Sequence, residues 1–359
     1  MMRAWRAVRR HRHVRSSAVV LLAGLLLPAA VDEAPATSAP VGVQRQFERS
    51  HLGPDTLPLR RAILDDTLFF PEGVAVDPRD GTLYVTSLRH GNVWRQARQG
   101  GGSWLLESSL AAGVFGIVLD TTADEAWLTA AASPVRRTDV PDVAPTELLR
   151  VSLRTGVVHD RRRLGDGTGM PGEIARAPDG TVLVSDGTRG RLYTVAPQEP
   201  AVVELTDELL RSPQGIAPDP SRPIAWVADW SRGVLRWDRA RGTMSRVSAP
   251  AGMDLRGIDG LRAWRGGLLA VQNGVVPNRV LLLALDTAGT QITSVRELAR
   301  AAPDDGEFTV GALYADSLFV VATSAWPFYD QAGRRRAEAG ALPAVHLRVV
   351  PLPMDSITR

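Results

Sequence analysis

One unit of sequence recurs along most of this chain. Its clearest copy is PEGVAVDPRDGTLYVTSLRHGNVWR, from Pro71 to Arg95. Related copies begin FGIVLDTTADEAWLTAAA, GEIARAPDGTVLVSDGTRGRLYTV, QGIAPDPSRPIAWVADWSRGVLRWD, DGLRAWRGGLLAVQNG and VGALYADSLFVVATSAW. The six starts, at 72, 115, 172, 214, 259 and 310, are spaced by 43, 57, 42, 45 and 51 residues. Each unit holds short runs of Val, Leu, Ile, Trp and Tyr between clusters of Gly, Pro, Asp and Asn, which is the pattern of strands joined by tight turns. Four strands in about 40–45 residues is the period of a propeller blade, and such units survive only by burying their faces against neighbours. The expectation is an all-β chain whose residues 61–351 form a six-bladed β-propeller of four-stranded blades. The extended run Val345–Pro351, or the segment around residues 58–65, would complete a blade across the two chain ends.

The ends read differently. Residues 1–15 carry six Arg and no acid, the uncharged stretch 16–31 contains AVVLLAGLLL, and small residues follow at Ala29 and Ala30. That order is a secretory signal over residues 1–30. Its apolar run falls short of the roughly 20 residues that span a bilayer, so a membrane contact would come only through an uncleaved leader. Arg9-Arg10 hints at twin-arginine export. Residues 31–60, rich in Pro, Ala, Ser and Thr, read as a linker, and residues 352–359 as a tail. The protein is expected outside the cytoplasm, periplasmic or extracellular, and monomeric.

Composition removes several chemistries. With no Cys there is no disulfide, thiolate zinc site or Cys nucleophile, and since all 42 basic residues are Arg there is no Walker or Schiff-base lysine. Without residues 1–30 the formal net charge moves from +3 to −3. A chain with no basic excess has little to offer a phosphate backbone, so nucleic acid is not an expected partner. No Gly-x-Ser-x-Gly elbow or His-Glu-x-x-His motif occurs.

The repeat register selects the candidate site. Just before the first-strand glycine of each unit stand Glu72, Phe115, Gln214, Asp259 and Val310. The third unit carries Gly172 there and Glu173 one place later. The first strand of a blade is innermost, so this column faces the central channel. Two carboxylates brought together there repel unless a proton or a cation balances them. Calcium takes six to eight oxygens from carboxylates, carbonyls and water; Glu72, Gln214 and Asp259 are therefore candidate ligands. The bland alternative is neutralisation by an Arg such as Arg89 or Arg256. A second column on the same face holds Ser87, Asp186, Asp229, Asn273 and Ser324, with His90, Arg189 and Arg232 in one register. Glu173, Asp229, Arg232, Asn273 and His90 are candidate substrate contacts, although Asp, Asn and Ser are equally ordinary turn residues. The tryptophans fall mostly on alternating strand positions and read as blade packing.

The segments PEGVAVDP, PQGIAPDP, GIDGL and LLAVQNG resemble the gluconolactonase and senescence-marker-protein (regucalcin-like) family over nearly all of residues 65–350. The resemblance implies a six-bladed propeller with a divalent cation, usually calcium, in its channel, and lactonase activity. It implies that Glu72 and Asp259 hold the cation, that Gln214 stands where the family has Asn, and that Asp259 also transfers the proton. Gly172 departs from the family's third-blade Asn. The expected function is thus a calcium-dependent lactonase or esterase acting on a small molecule. The alternatives are a non-catalytic binding propeller and a strictosidine-synthase-like or lyase-type enzyme.

Overall fold

The computed structural model describes residues 59–135, 144–197, 199, 201–330 and 332–353. Residues 1–30, read as a signal, and residues 31–58 of the segment read as a linker lie outside the described residues, as do residues 354–359. Six antiparallel sheets of four strands each form the ring. The innermost strands are Pro71–Val76, Gly113–Asp120, Pro171–Arg176, Pro213–Pro218, Ile258–Trp264 and Gly311–Tyr314, in blades I to VI. Strand order follows sequence order within blades I–V.

Blade VI joins the two chain ends. Its order from the inside is Gly311–Tyr314, Ser317–Val321, Val345–Pro351 and then Leu59–Leu64. Both segments offered for closure are used, one as third strand and one as fourth, with Leu59 opposite Val349. The strand Leu59–Leu64 thus takes in two residues ahead of residue 61.

The core lies between the blades. Six apolar clusters occupy the six interfaces, each drawing on two adjacent sheets. Trp226 of blade IV packs with Leu261 and Leu281 of blade V, and Val74 of blade I with Val310 and Leu347 of blade VI. A sheet with two apolar faces cannot be stable alone, and the ring covers every face.

Polar clips also join the blades. The Gly73 N–H donates to Thr86 Oγ1 at 2.6 Å, and the same hydroxyl donates to the Phe115 carbonyl of blade II at 2.8 Å. Ser185 does the same work between blades III and IV, receiving the Glu173 N–H and donating to the Gln214 carbonyl. Thr309 Oγ1 donates to the Glu72 carbonyl, tying blade VI to blade I. Thr86→Val leaves a buried donor and a buried acceptor unmet, at a cost of about 2 kcal/mol. Thr86→Ser should recover most of that loss in urea denaturation, and equal losses for both variants would refute the clip.

On the opposite face the Asp-Pro turns serve as anchors. Arg79 grips Asp77 and reaches Asp124 of blade II, and Arg222 grips Asp219 and reaches the Thr287 carbonyl of blade V.

Candidate functional site

The residues that face the channel are aimed by a backbone irregularity. In blade I Pro71 pairs with Ser87 and Val74 with Val85, so Glu72 and Gly73 stand opposite Thr86 alone. The same kind of bulge interrupts the inner strands of blades II, III, IV and V. A bulge turns a side chain out of the alternating pattern. Here it presents Glu72, Phe115, Gly172, Gln214 and Asp259 at the mouth of the channel, where all five line one chamber.

The glycine that follows is required by crowding at the axis. A Cβ on Gly73 would lie 2.4 Å from the Phe115 carbonyl oxygen, and one on Gly215 would lie 2.5 Å from the Leu261 nitrogen. Blade III is the exception, because Glu173 holds the glycine's place. Its side chain is buried and ion-paired with Arg262 of blade V. The pair sits beneath the floor in a narrow space also lined by Gly73, Phe115 and Val310.

The chamber, about 640 Å³, is partly covered by the connection between the second and third strands of blade VI, which brings Trp326, Phe328, Tyr329, Asp330, Arg336 and Glu338 to its lining. This cap contains a short 3₁₀ turn, Trp326–Phe328, with Pro327 in its first turn. The Trp326 ring meets Phe70 edge-on at 5.0 Å, and Tyr329 lies 5.5 Å from Phe70. These rings pack with Leu88, Phe115 and Ala131 as a seventh apolar cluster, over blades I and II. The Asp330 carboxylate accepts the Ala332 and Arg334 N–H groups and shapes the cap's own turn.

Three carboxylates meet on the chamber floor: Glu72, Asp259 and Glu307. Trp326 Nε1 donates to Glu72 Oε2 at 3.0 Å. Asn273 Nδ2 donates to Asp259 Oδ2 and to the Phe308 carbonyl, each at 2.8 Å. Burial is the main cause that pushes all three acids up, and repulsion from a neighbouring carboxylate adds to it in each case. Glu72 stands well above the usual carboxylate range, with Asp259 and Glu307 as its repelling neighbours. Glu307 is pushed to about 8, with Asp259 as its neighbour. Asp259 is pushed only to about 7, raised also by Glu173 and held down by the Asn273 hydrogen bond. Among the described residues no Arg pairs with these three acids. Arg256 is held by Asp254, and Arg89 reaches the Val135 carbonyl.

The other sequence candidates are distributed as follows. Gln214 lines the chamber, but its amide is cradled by blade III: a Cβ on Gly172 would lie 2.8 Å from Oε1, and one on Gly187 would lie 2.6 Å from Nε2. Nε2 donates to Ser212. The absence of a side chain at 172 is thus what admits the longer Gln arm. Asn273 is the amide beside Asp259. The Asp229 carboxylate is fully buried and accepts the Arg211, Ser212 and Ser231 N–H groups, which is turn chemistry. His90 pairs with Asp66 and packs near Phe69 and Trp104. Asp229, His90, Arg232 and Glu173 stand outside the chamber lining.

Three features of the site escaped the sequence reading. Glu307 precedes its column residue, Val310, by three positions, and reaches the floor because its segment bridges to Ser324. Trp326 and Trp230 face the chamber instead of packing between blades. The aromatic run AWPFY at 325–329 was the available signal.

The fold is shared with solved six-bladed propeller enzymes. The virginiamycin B lyase of Staphylococcus aureus superposes with a TM-score of 0.54 at 14% identity, over 83% of this chain and 89% of that one. A gluconolactonase of Xanthomonas campestris gives 0.55 at 17% identity, over 82% and 89%. The PQQ-bound aldose sugar dehydrogenase of Streptomyces coelicolor gives 0.52 at 17%, over 83% and 100%. A scan against protein-family models and a search of the curated proteins give no match. At these identities the likeness shows the fold alone, a six-bladed β-propeller, and propellers host many unrelated activities.

Proposed function

We propose that this protein is a hydrolase of small lactones or esters, working by acid–base chemistry on the chamber floor with a divalent cation, calcium in the first instance. The observation that carries the reading is that Glu72, Asp259 and Glu307 line one chamber and, among the described residues, none of the three is paired with an Arg. Such a group is stable only with protons or a cation in its midst. The gluconolactonase-like segments of the sequence point the same way.

The donor set suits a hard cation in kind. The oxygens are carboxylate and amide, and Asn273 Oδ1 is buried with no hydrogen-bond partner. Among the described residues the acids do not form a preassembled cage of three, so a bound ion would have to draw them inward. Glu72, Asp259, Glu307 and Asn273 would hold it, and it would supply Lewis-acid polarisation of the carbonyl. Asp259 is more readily ionised than Glu307 and is oriented by Asn273, which fits it to take a proton from the attacking water. The water oxygen bonds to the carbonyl carbon, the ring C–O bond breaks, and the proton passes to the departing oxygen.

A panel of alkyl lactones and aryl esters, assayed with calcium and then with chelator, tests this directly. Turnover that disappears on chelation and returns with calcium is the expected result. No turnover of any member, with or without calcium, would end the proposal.

A further inference from the structure

The chamber has two chemically distinct halves. Its floor carries Glu72, Asp259 and Glu307, and opposite them Phe115, Met170, Trp230, Trp326 and Phe328 give an apolar stretch of wall and roof. The cap also brings Asp330, Arg336 and Glu338 to the lining, where the Asp330 carboxylate is engaged by the Arg334 N–H and Arg336 Nε by the Tyr329 carbonyl. Met170, Trp326 and Phe328 are only partly buried against protein, and the chamber is where they are lined up. The one indole N–H that the roof sends to the floor, Trp326 Nε1, is already bonded to Glu72. A polyhydroxylated ligand laid against the Trp326 and Phe328 rings would strip water from its hydroxyls there without regaining the hydrogen bonds, which costs roughly 1–3 kcal/mol for each unmet group. An alkyl or aryl group gains there instead, by about 0.8 kcal/mol for each buried CH₂.

The roof is built to stay in place. Phe70 and Phe115 brace it from blades I and II, the Arg336 N–H donates to the Phe328 carbonyl, and Arg336 Nε donates to the Tyr329 carbonyl. A Cβ on Gly333 would overlap the Pro134 carbonyl, so the cap's turn is pressed against blade II.

From this division we infer that the ligand is an apolar-tailed lactone or ester, not a sugar lactone. Its carbonyl lies over Glu72 and Asp259, and its alkyl or aryl tail lies under Trp326 and Phe328. The placement of the carbonyl rests on the hydrolase reading; the placement of the tail does not.

Two series measured on the full chain separate these parts. The first is kcat/KM for γ-lactones of increasing alkyl chain, with glucono-δ-lactone as the polar comparison. The second is calorimetric binding of alkyl tetrahydrofurans, which have the ring and tail but no carbonyl to attack. The expected result is a gain of about fourfold per added methylene in either series. That slope should flatten below about twofold in Phe328→Ser and in Trp326→Ala. If no lactone is turned over while tetrahydrofuran binding still climbs with chain length, the hydrolase reading fails and this inference stands. If glucono-δ-lactone is the better substrate, or if both series are flat, the inference is overturned whether or not the protein is a hydrolase.

Discussion

Asp259→Asn should lower turnover of any accepted lactone by between about 10² and 10⁴, the usual contribution of a placed proton acceptor, while the protein becomes more resistant to unfolding at pH 8 in chelator. The two effects share one cause. Asp259 is held up at about 7 from an ordinary value of 3.8 by burial and by Glu173. Below the ordinary value, folded and unfolded chains both carry the proton, and the group contributes nothing. As pH rises from about 4 toward 7, the unfolded chain loses the proton and the folded chain keeps it, so stability falls. Above about 7 the folded state holds an ionised acid where it is least welcome, and the loss is complete. Asn removes that penalty at pH 8 and changes little at pH 4. Two or more kcal/mol is the expected scale, since each pKa unit corresponds to about 1.4 kcal/mol. Glu307, pushed to about 8, should behave similarly in Glu307→Gln, with the loss extending to higher pH. Thermal melts of wild type and Asp259→Asn at pH 4 and pH 8, run in chelator, decide the point. Equal melting shifts at both pH values would show that the acid is not strained by its surroundings.

Gly215→Ala should be strongly destabilising, because it adds a methyl group at the crowded axis. The added carbon would lie 2.5 Å from the Leu261 nitrogen and 2.6 Å from the Asp259 carbonyl oxygen. These are backbone atoms of blade V, so no side-chain rotation relieves the clash. Blades IV and V must separate at the axis, which also opens the cluster around Trp226, Leu261 and Leu281. Overpacking usually costs 1–3 kcal/mol, and about 3 kcal/mol or more is expected where only backbone can yield. The same shift would displace Asp259, so activity should fall further than the folded fraction does. Gly242→Ala serves as the control for an added methyl, because a Cβ there meets nothing within 4 Å. Its backbone carries a positive φ of 66°, so a loss of about 1 kcal/mol belongs to that strain alone. Gly215→Ala melting no lower than Gly242→Ala would show that the ring tolerates spreading at the axis.

The six-fold repeat determined the architecture because a blade is a local object. Its strands are neighbours in sequence, its turns are written in Gly, Pro and Asp, and its apolar runs have no stable use except against another copy. The first-strand column was legible for the same reason. Glu72 and Asp259 could be placed at the channel by counting from the repeat glycine, and a bulge of similar position in five blades turns that register toward the axis. What depended on contacts between distant segments was not legible. Glu307 belongs to no column and reaches the floor only through the pairing of its segment with Ser324. Gln214 tips toward blade III because Gly172 and Gly187 leave it room. Asp229 and Asn273 share one register, yet one carboxylate is consumed by three backbone N–H groups while the other side chain meets Asp259. The aromatic roof comes from an insertion in blade VI that no repeat pattern describes. Periodicity fixes where a strand starts and which way its residues alternate; which polar groups are left over to face the chamber is decided only when all six blades have closed on one another.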